Sequence, residues 1–205
     1  AMRGGDSTAY HGGQVSLDPR PHIRREPFGM VVLPLLSVVL IGWPFGYAST
    51  PYQPTWAAEF PKRAAIMALA GPVTNLLLVL VAAMVIRVGS WMAVFDNPQA
   101  VSFGQVVVAA NVGMWEGVAF VVSVFFSLNL LLAIFNLIPV PPLDGSGVVP
   151  LFLNPTNTSR YQRFIWGEPM LSWLGILIAW QLFPSVFRPV WLFLVNWILE
   201  GPGYG

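Results

Sequence analysis

Asp144 is the residue of this sequence best placed to do chemistry. It closes the run Asn129-Leu-Leu-Leu-Ala-Ile-Phe-Asn136-Leu-Ile-Pro139-Val-Pro141-Pro142-Leu143-Asp144-Gly145. Asn129 and Asn136 stand two helical turns apart and share one face of a helix. Ser123 and Ser127 make a second small polar pair one turn apart. Pro139, Pro141 and Pro142 then end that helix, because proline removes a backbone donor and clashes with the preceding turn. A carboxylate just past such a break, between Leu143 and the glycines at 145 and 147, is costly unless it faces a cavity, a metal or a cation. The alternative is a carboxylate in the headgroup layer that caps the next turn. In that structural role its charge must be met by the N–H groups of Gly145 and Ser146 or by a basic side chain.

A second polar island is Ala70-Gly71-Pro72-Val73-Thr74-Asn75, set inside an apolar stretch. Pro72 frees a carbonyl, Gly71 lets a neighbouring element come close, and Asn75 can hydrogen-bond what is left open. Asn75 is expected to act as polar glue between helices rather than at a reaction centre.

Together these residues resemble the site-2 protease family of intramembrane zinc metalloproteases. The run Asn136-x-x-Pro139-x-Pro141-x-Leu143-Asp144-Gly145 looks like the family's second signature. Ala70-Gly71-Pro72-x-x-Asn75 is similar to its glycine–proline–asparagine helix. Gly5-Asp6-Ser7-Thr8-Ala9, Gly13, Leu17-Asp18-Pro19 and Pro21-His22-Ile23 resemble the segment that follows the family's metal helix, and the Pro27-Phe28-Gly29 lead-in to the first span fits as well. The resemblance runs from about residue 1 to about residue 150.

The resemblance implies zinc held by two histidines of an HExxH helix and one aspartate, with the glutamate between the histidines as general base toward a metal-bound water. Asp144 matches the aspartate ligand. These 205 residues contain no HExxH; by the resemblance it would end a few residues before Ala1. His11 and His22, the only histidines, are separated by glycines and prolines and cannot share a helical face. They are expected in a turn and in the proline-rich arm, and a rescued site using both with Asp144 would still lack an adjacent glutamate. A removed initiator methionine before Ala1 would make the chain naturally short; a longer precursor would make it a piece. Both remain open at this point.

The elements that hold these residues follow from composition. Charged residues are 9% of the chain and apolar ones 56%, with a mean hydropathy of +0.67. So little charge excludes a soluble globular surface and intrinsic disorder. A net charge of +1 gives no footprint for nucleic acid. Without cysteine there is no disulfide, iron–sulfur cluster or thiolate zinc site. The fold expected is an all-α, polytopic integral membrane bundle. Four spans are placed near 28–48, 64–88, 117–138 and 169–187, each close to the ~20 apolar residues a crossing needs. An irregular or hairpin arm over 1–27 precedes the 28–199 bundle, and a tail over 200–205 follows it. Within the arm, Gly12-Gly13 reads as a hairpin or loop, and Pro19, Pro21 and Pro27 are expected to stop any helix.

The stretch 189–199 is too short to cross alone, so it reads as an interfacial or re-entrant piece with Trp191 and Trp197 at headgroup depth. Four spans would place the arm, the 89–116 loop and the carboxyl end on one side, and the 49–63 and 139–168 loops on the other. Counting Arg87 and Arg188 with the first side gives six basic residues there against four, a slight bias toward a cytoplasmic amino terminus. No internal repeat suggests a transporter.

Two functions follow. One is a non-catalytic scaffold or accessory subunit of a membrane complex, expected because the zinc-binding histidines and the glutamate base are absent from these residues. Nine tryptophans and fourteen phenylalanines offer it area for lipid, pigment or neighbouring helices. The other is an intramembrane zinc metalloendopeptidase acting on a transmembrane substrate, its HExxH helix lying upstream and its Asn75 and Asn136 lining or bracing the site. Zinc is expected only in that second case.

Overall fold

The computed structural model of the chain describes residues 5–12, 15, 18–41, 53–167, 169–199 and 203–204. It packs as two units, 1–64 and 65–205.

In the first unit, two short helices occupy the arm, α1 (Thr8–His11) and α2 (Pro19–Arg25). A π-helical turn at Phe28–Val32 runs into α3 (Leu33–Ile41), and α4 covers Pro54–Glu59. Thr8–His11 form the single turn of α1, while most of the hairpin or loop expected around Gly12-Gly13 lies outside the described residues; the prolines open α2 instead of stopping it. The reason is positional. Asp18 caps α2 by accepting a hydrogen bond from the Arg20 N–H at 2.9 Å. Pro19 and Pro21 fall in the first turn, where the missing N–H would have had no partner anyway. Asp6 ties the arm to the residue that precedes α4. It is buried, and its carboxylate accepts from the Thr8 N–H and hydroxyl at 2.9 and 2.6 Å and from the Gln53 N–H at 3.2 Å. Of the span expected over 28–48, residues 28–41 are helical; 42–48 lie outside the described residues.

The second unit carries the long helices. The last four residues of the first unit begin α5 (Pro61–Trp91), which continues through Pro72; α6 is Met114–Leu137 and α9 is Pro169–Leu199. Among the described residues these three are long and apolar enough to cross a membrane, over 61–91, 114–137 and 174–199. A two-stranded antiparallel hairpin, β1 (Phe95–Asp96) with β2 (Val108–Ala109), fills the connection from α5 to α6 and was not expected from the sequence.

The core forms at that end. Val79, Ala82, Ala83 and Ile86 of α5 recur at helical spacing and meet Phe95, Val106 and Val107 of the hairpin segment. Ala119, Phe126 and Leu130 of α6 and Trp191, Val195, Ile198 and Leu199 of α9 complete the cluster. Alanines at 82, 83 and 119 let the backbones approach. Ser123 accepts from the Val106 and Val107 N–H groups at 3.0 and 3.2 Å, and Ser127 accepts from the Trp191 indole N–H at 2.9 Å. The serine pair therefore serves packing. Arg87 donates to the carbonyl of Ile198 at 2.9 Å, Asn97 to that of Leu199 at 3.3 Å, and Tyr204 to that of Pro98 at 2.7 Å. The 92–113 connection and the carboxyl end thus share one end of this unit.

Two expectations about α9 are corrected. The helix does not stop near 187: it runs unbroken past Pro184 and Pro189 to Leu199. Each proline removes one helical hydrogen bond, but in a membrane helix the remaining bonds have no water to compete with them. Trp191 is consequently not at headgroup depth. It is 7% exposed and bonded to Ser127 near the middle of α6, whereas Trp197 is 65% exposed. Arg188 also leaves the helix end at which it was counted and falls within the 174–199 span.

Candidate functional site

At the opposite end of the second unit the proline run does end α6, at Leu137, with Ile138 extended. The chain then turns back on itself. A short helix α7 (Asp144–Val148) follows, then a single tight turn at Val149–Leu151 and the polar helix α8 (Pro155–Gly167). α7 folds against the end of α6, where a Cβ on Gly145 would collide with the carbonyls of Leu137 and Ile138. On its other side it meets α5. A Cβ on Gly147 would stand 2.9 Å from the Ala68 Cβ, and one on Gly71 would stand 3.1 Å from the Asp144 Oδ2.

Glycine is therefore required on α7, and on α5 it leaves room for the Asp144 carboxylate. The Gly71–Pro72 island and the Leu143–Asp144–Gly145 motif, some seventy residues apart in sequence, meet face to face. Pro72 also has no N–H to offer the Ala68 carbonyl, so this stretch of α5 presents an open backbone acceptor beside α7. Gly175 of α9, which the sequence reading did not single out, closes the third side: its Cβ position is occupied by the Pro141 carbonyl. A lone glycine in an apolar run carries little signal, because its partner is set by a turn more than thirty residues away.

Asp144 is the first residue of α7 and is half-buried. It does not cap that helix. The Ser146 N–H and hydroxyl both turn to the Leu143 carbonyl, at 3.0 and 2.8 Å. No N–H, hydroxyl or basic side chain among the described residues reaches the Asp144 carboxylate, so the satisfaction expected of a purely structural aspartate is not found. Its partner Gly71 lies ten residues into α5, about 15 Å along the helix from Pro61. That depth argues against the headgroup position. Behind α7, Tyr161 of α8 donates to the Ser146 carbonyl at 2.8 Å. Burial pushes the Tyr161 phenol above its ordinary range. No motif marks Tyr161 in the sequence; only the fold brings α8 back onto α7.

The asparagines divide. Asn129 is buried and turns its amide to the carbonyl of Phe125 on its own helix, at 2.8 Å. Asn136 and Asn75 are half-buried, with no hydrogen bond to another described residue. Asn75 lies one turn beyond Gly71, on the face of α5 that meets Asp144. The expected bond from Asn75 to a neighbouring helix is absent among the described residues. Pro139 is exposed and Leu143 half-buried along the turn between α6 and α7.

Catalytic zinc normally takes three protein ligands. Among the described residues no three His, Asp or Glu side chains gather in one place. His11 and His22 sit on α1 and α2 of the first unit. The residues present fit one ligand of such a site, Asp144, and do not make a whole one, so no hydrolytic step is derived from them.

Comparison with known proteins agrees with this arrangement of motifs. The model of Peptidase family M50 matches residues 10–167, which contain both the Gly71 and the Asp144 segments. Over 207 residues the chain is 26% identical to "Putative zinc metalloprotease YwhC" of Bacillus subtilis (strain 168), covering 93% of this chain and 84% of that protein. It is 29% identical over 204 residues to "Putative zinc metalloprotease Rip2" of Mycolicibacterium smegmatis, and 31% identical over 206 residues to the protein of that name from Mycobacterium tuberculosis (strain ATCC 25618 / H37Rv). Each alignment covers 99% of this chain and 66% of the Rip2 protein, so the chain spans just under two thirds of their length. No solved structure matches.

Proposed function

The chain belongs to peptidase family M50, the site-2 proteases, and is an integral, multi-pass membrane protein; from that premise we propose that it is the membrane core of an intramembrane zinc metalloprotease, with Asp144 as one ligand of the metal. The observation that carries this is the Asp144 carboxylate. It stands against Gly71 of α5 at span depth and is left without a protein donor among the described residues. A carboxylate retained only for structure would be expected to spend its lone pairs on nearby N–H groups, and Ser146 turns away from it. Tyr161, Gly71, Gly147 and Gly175 act here as positioning residues that fix α7. Asn75 and Asn136, with amides free of described partners, would flank the extended backbone of a transmembrane substrate.

The donor set also supports a second reading. One ligand cannot hold a catalytic zinc, so unless two histidines and a general base come from residues beyond these 205, the bundle is a non-catalytic scaffold or accessory subunit among other membrane proteins.

One experiment separates the two. The protein is isolated from its native membrane, its intact mass is compared with 22.5 kDa, and its zinc content and cleavage of a transmembrane reporter are measured. The protease reading expects a heavier polypeptide, about one zinc per chain, and loss of both zinc and cleavage in Asp144→Asn. A native mass of 22.5 kDa without zinc, or cleavage that survives Asp144→Asn, overturns it.

A further inference from the structure

No described residue accounts for the position of Arg188. It lies fourteen residues into the 174–199 span. The far end of that helix is fixed by the Arg87 bond to the Ile198 carbonyl, and ten residues of helix place Arg188 about 15 Å below that level. Half of a hydrocarbon layer is also about 15 Å. The side chain is exposed, and no carboxylate or other acceptor among the described residues reaches it. An unpaired cation at mid-span is costly, and such residues pair with one another or line a polar path.

A second observation marks the same face. Gln181, Ser185 and Arg188 follow each other at spacings of four and three, so they form one narrow stripe along α9, and all three are exposed. Pro184 and Pro189 lack the N–H groups that would bond the carbonyls of Trp180 and Ser185, leaving two backbone acceptors open beside the stripe. Leu177 and Val186 nearby are 65% and 47% exposed, ordinary for lipid contact. A polar amide, a hydroxyl, two open carbonyls and a guanidinium on the outside of a membrane helix are not.

We infer that this face of α9 docks a separate transmembrane helix that carries an aspartate or glutamate at mid-span, paired with Arg188. An anionic lipid headgroup lies a half-bilayer away, farther than an arginine side chain extends. A second copy of these 205 residues offers nothing suitable: the stretches 28–48, 61–91 and 174–199 contain no carboxylate, Glu116 stands at the very start of α6, and Asp144 is set against Gly71. The occupant is therefore a different, acidic span. The site lies apart from Asp144, and the inference does not rest on the metal reading.

The test uses the full chain in phosphatidylcholine vesicles. These 205 residues contain no cysteine, so Val112→Cys, in an exposed loop, gives them one site for a fluorophore. Polyleucine transmembrane peptides with Glu, Gln or Lys at the centre carry the acceptor, and association is read by energy transfer. The Glu peptide is expected to bind at least about fivefold more tightly than the Gln peptide. Arg188→Leu should abolish that preference, and Arg188→Glu should transfer it to the Lys peptide, with helicity and melting unchanged in both. Equal binding of the three peptides to the unaltered protein, or a Glu preference that survives Arg188→Leu, overturns the inference. A Glu preference erased by adding phosphatidylserine overturns it too, by assigning the arginine to anionic lipid.

Discussion

Gly71 shows what a single residue can decide in this bundle. A side chain there begins 3.1 Å from a carboxylate oxygen, tighter than nine in ten real Cβ contacts. Gly71→Leu therefore has to displace the Asp144 carboxylate and crowd α7, at a cost of about 1–3 kcal/mol for overpacking. Leu76→Ala on the same helix removes a side chain that is 38% exposed, and it should cost less. Thermal melting in detergent should show the larger drop for Gly71→Leu; equal drops would count against the close-packing account. The Trp191–Ser127 bond makes a second case. Ser127→Ala leaves a buried indole N–H without an acceptor, which costs about 1–3 kcal/mol, whereas Trp191→Phe combined with Ser127→Ala removes donor and acceptor together. A double-mutant cycle on unfolding should therefore report a coupling of about 1 kcal/mol or more, and strict additivity would sink it. Residue chemistry of this kind was legible only in part. Gly71 and Asp144 could be marked because each stands in a local motif. The partner of Ser127 could not, since Trp191 lies 64 residues away in sequence.

At the scale of elements, prolines were the main source of error, and the direction of the error depends on position. Pro139, Pro141 and Pro142 end α6 as expected, because three in four residues remove too many donors. Pro19 and Pro21 open α2, and Pro184 and Pro189 sit inside α9 without ending it. The β1–β2 hairpin was invisible for another reason. Its order rests on Val106 and Val107 bonding to Ser123 of the following helix, a contact that no local pattern encodes.

The arm gives a prediction in pH. Burial acts to raise the pKa of Asp6, but the bonds from Thr8 and Gln53 outweigh it and hold the carboxyl below its ordinary value. A depressed folded pKa means stabilisation that is fully present above the unfolded value of about 3.9 and is lost as pH falls through the folded one. Hydrogen-exchange protection of the Thr8 and Gln53 amides should therefore hold steady at pH 5 and above and decline below about pH 4. In Asp6→Asn it should be weaker and flat across that range. Protection in the unaltered arm that rises as the solution becomes more acidic would contradict the assignment.

For the molecule as a whole, stability and chemistry occupy opposite ends of the same helices. The buried cluster runs through residues 79–86 of α5, 119–130 of α6 and 191–199 of α9, sealed by the hairpin, Arg87 and Tyr204. Asp144 belongs to the other end, where α7 is wedged by glycines against α5 and the close of α6 and the preceding turn against α9. The membrane class and the order of motifs could be read from composition and spacing, because both are local properties of the chain. That Asp144 is left without a protein donor among the described residues could not, since it depends on where Ser146 sends its hydrogen bonds. The separation makes a joint prediction. Phe126, fully buried in the cluster, should cost about 3–5 kcal/mol when changed to alanine. Asp144→Asn removes a charge that no described residue stabilises, so the variant should melt at or slightly above the temperature of the unaltered protein. Residues that a fold needs lower its stability when removed, whereas a residue kept for a ligand is strained in its absence. An Asp144→Asn variant that unfolds as readily as Phe126→Ala would mean that the carboxylate holds the bundle together, and the case for Asp144 as a ligand would fall with it.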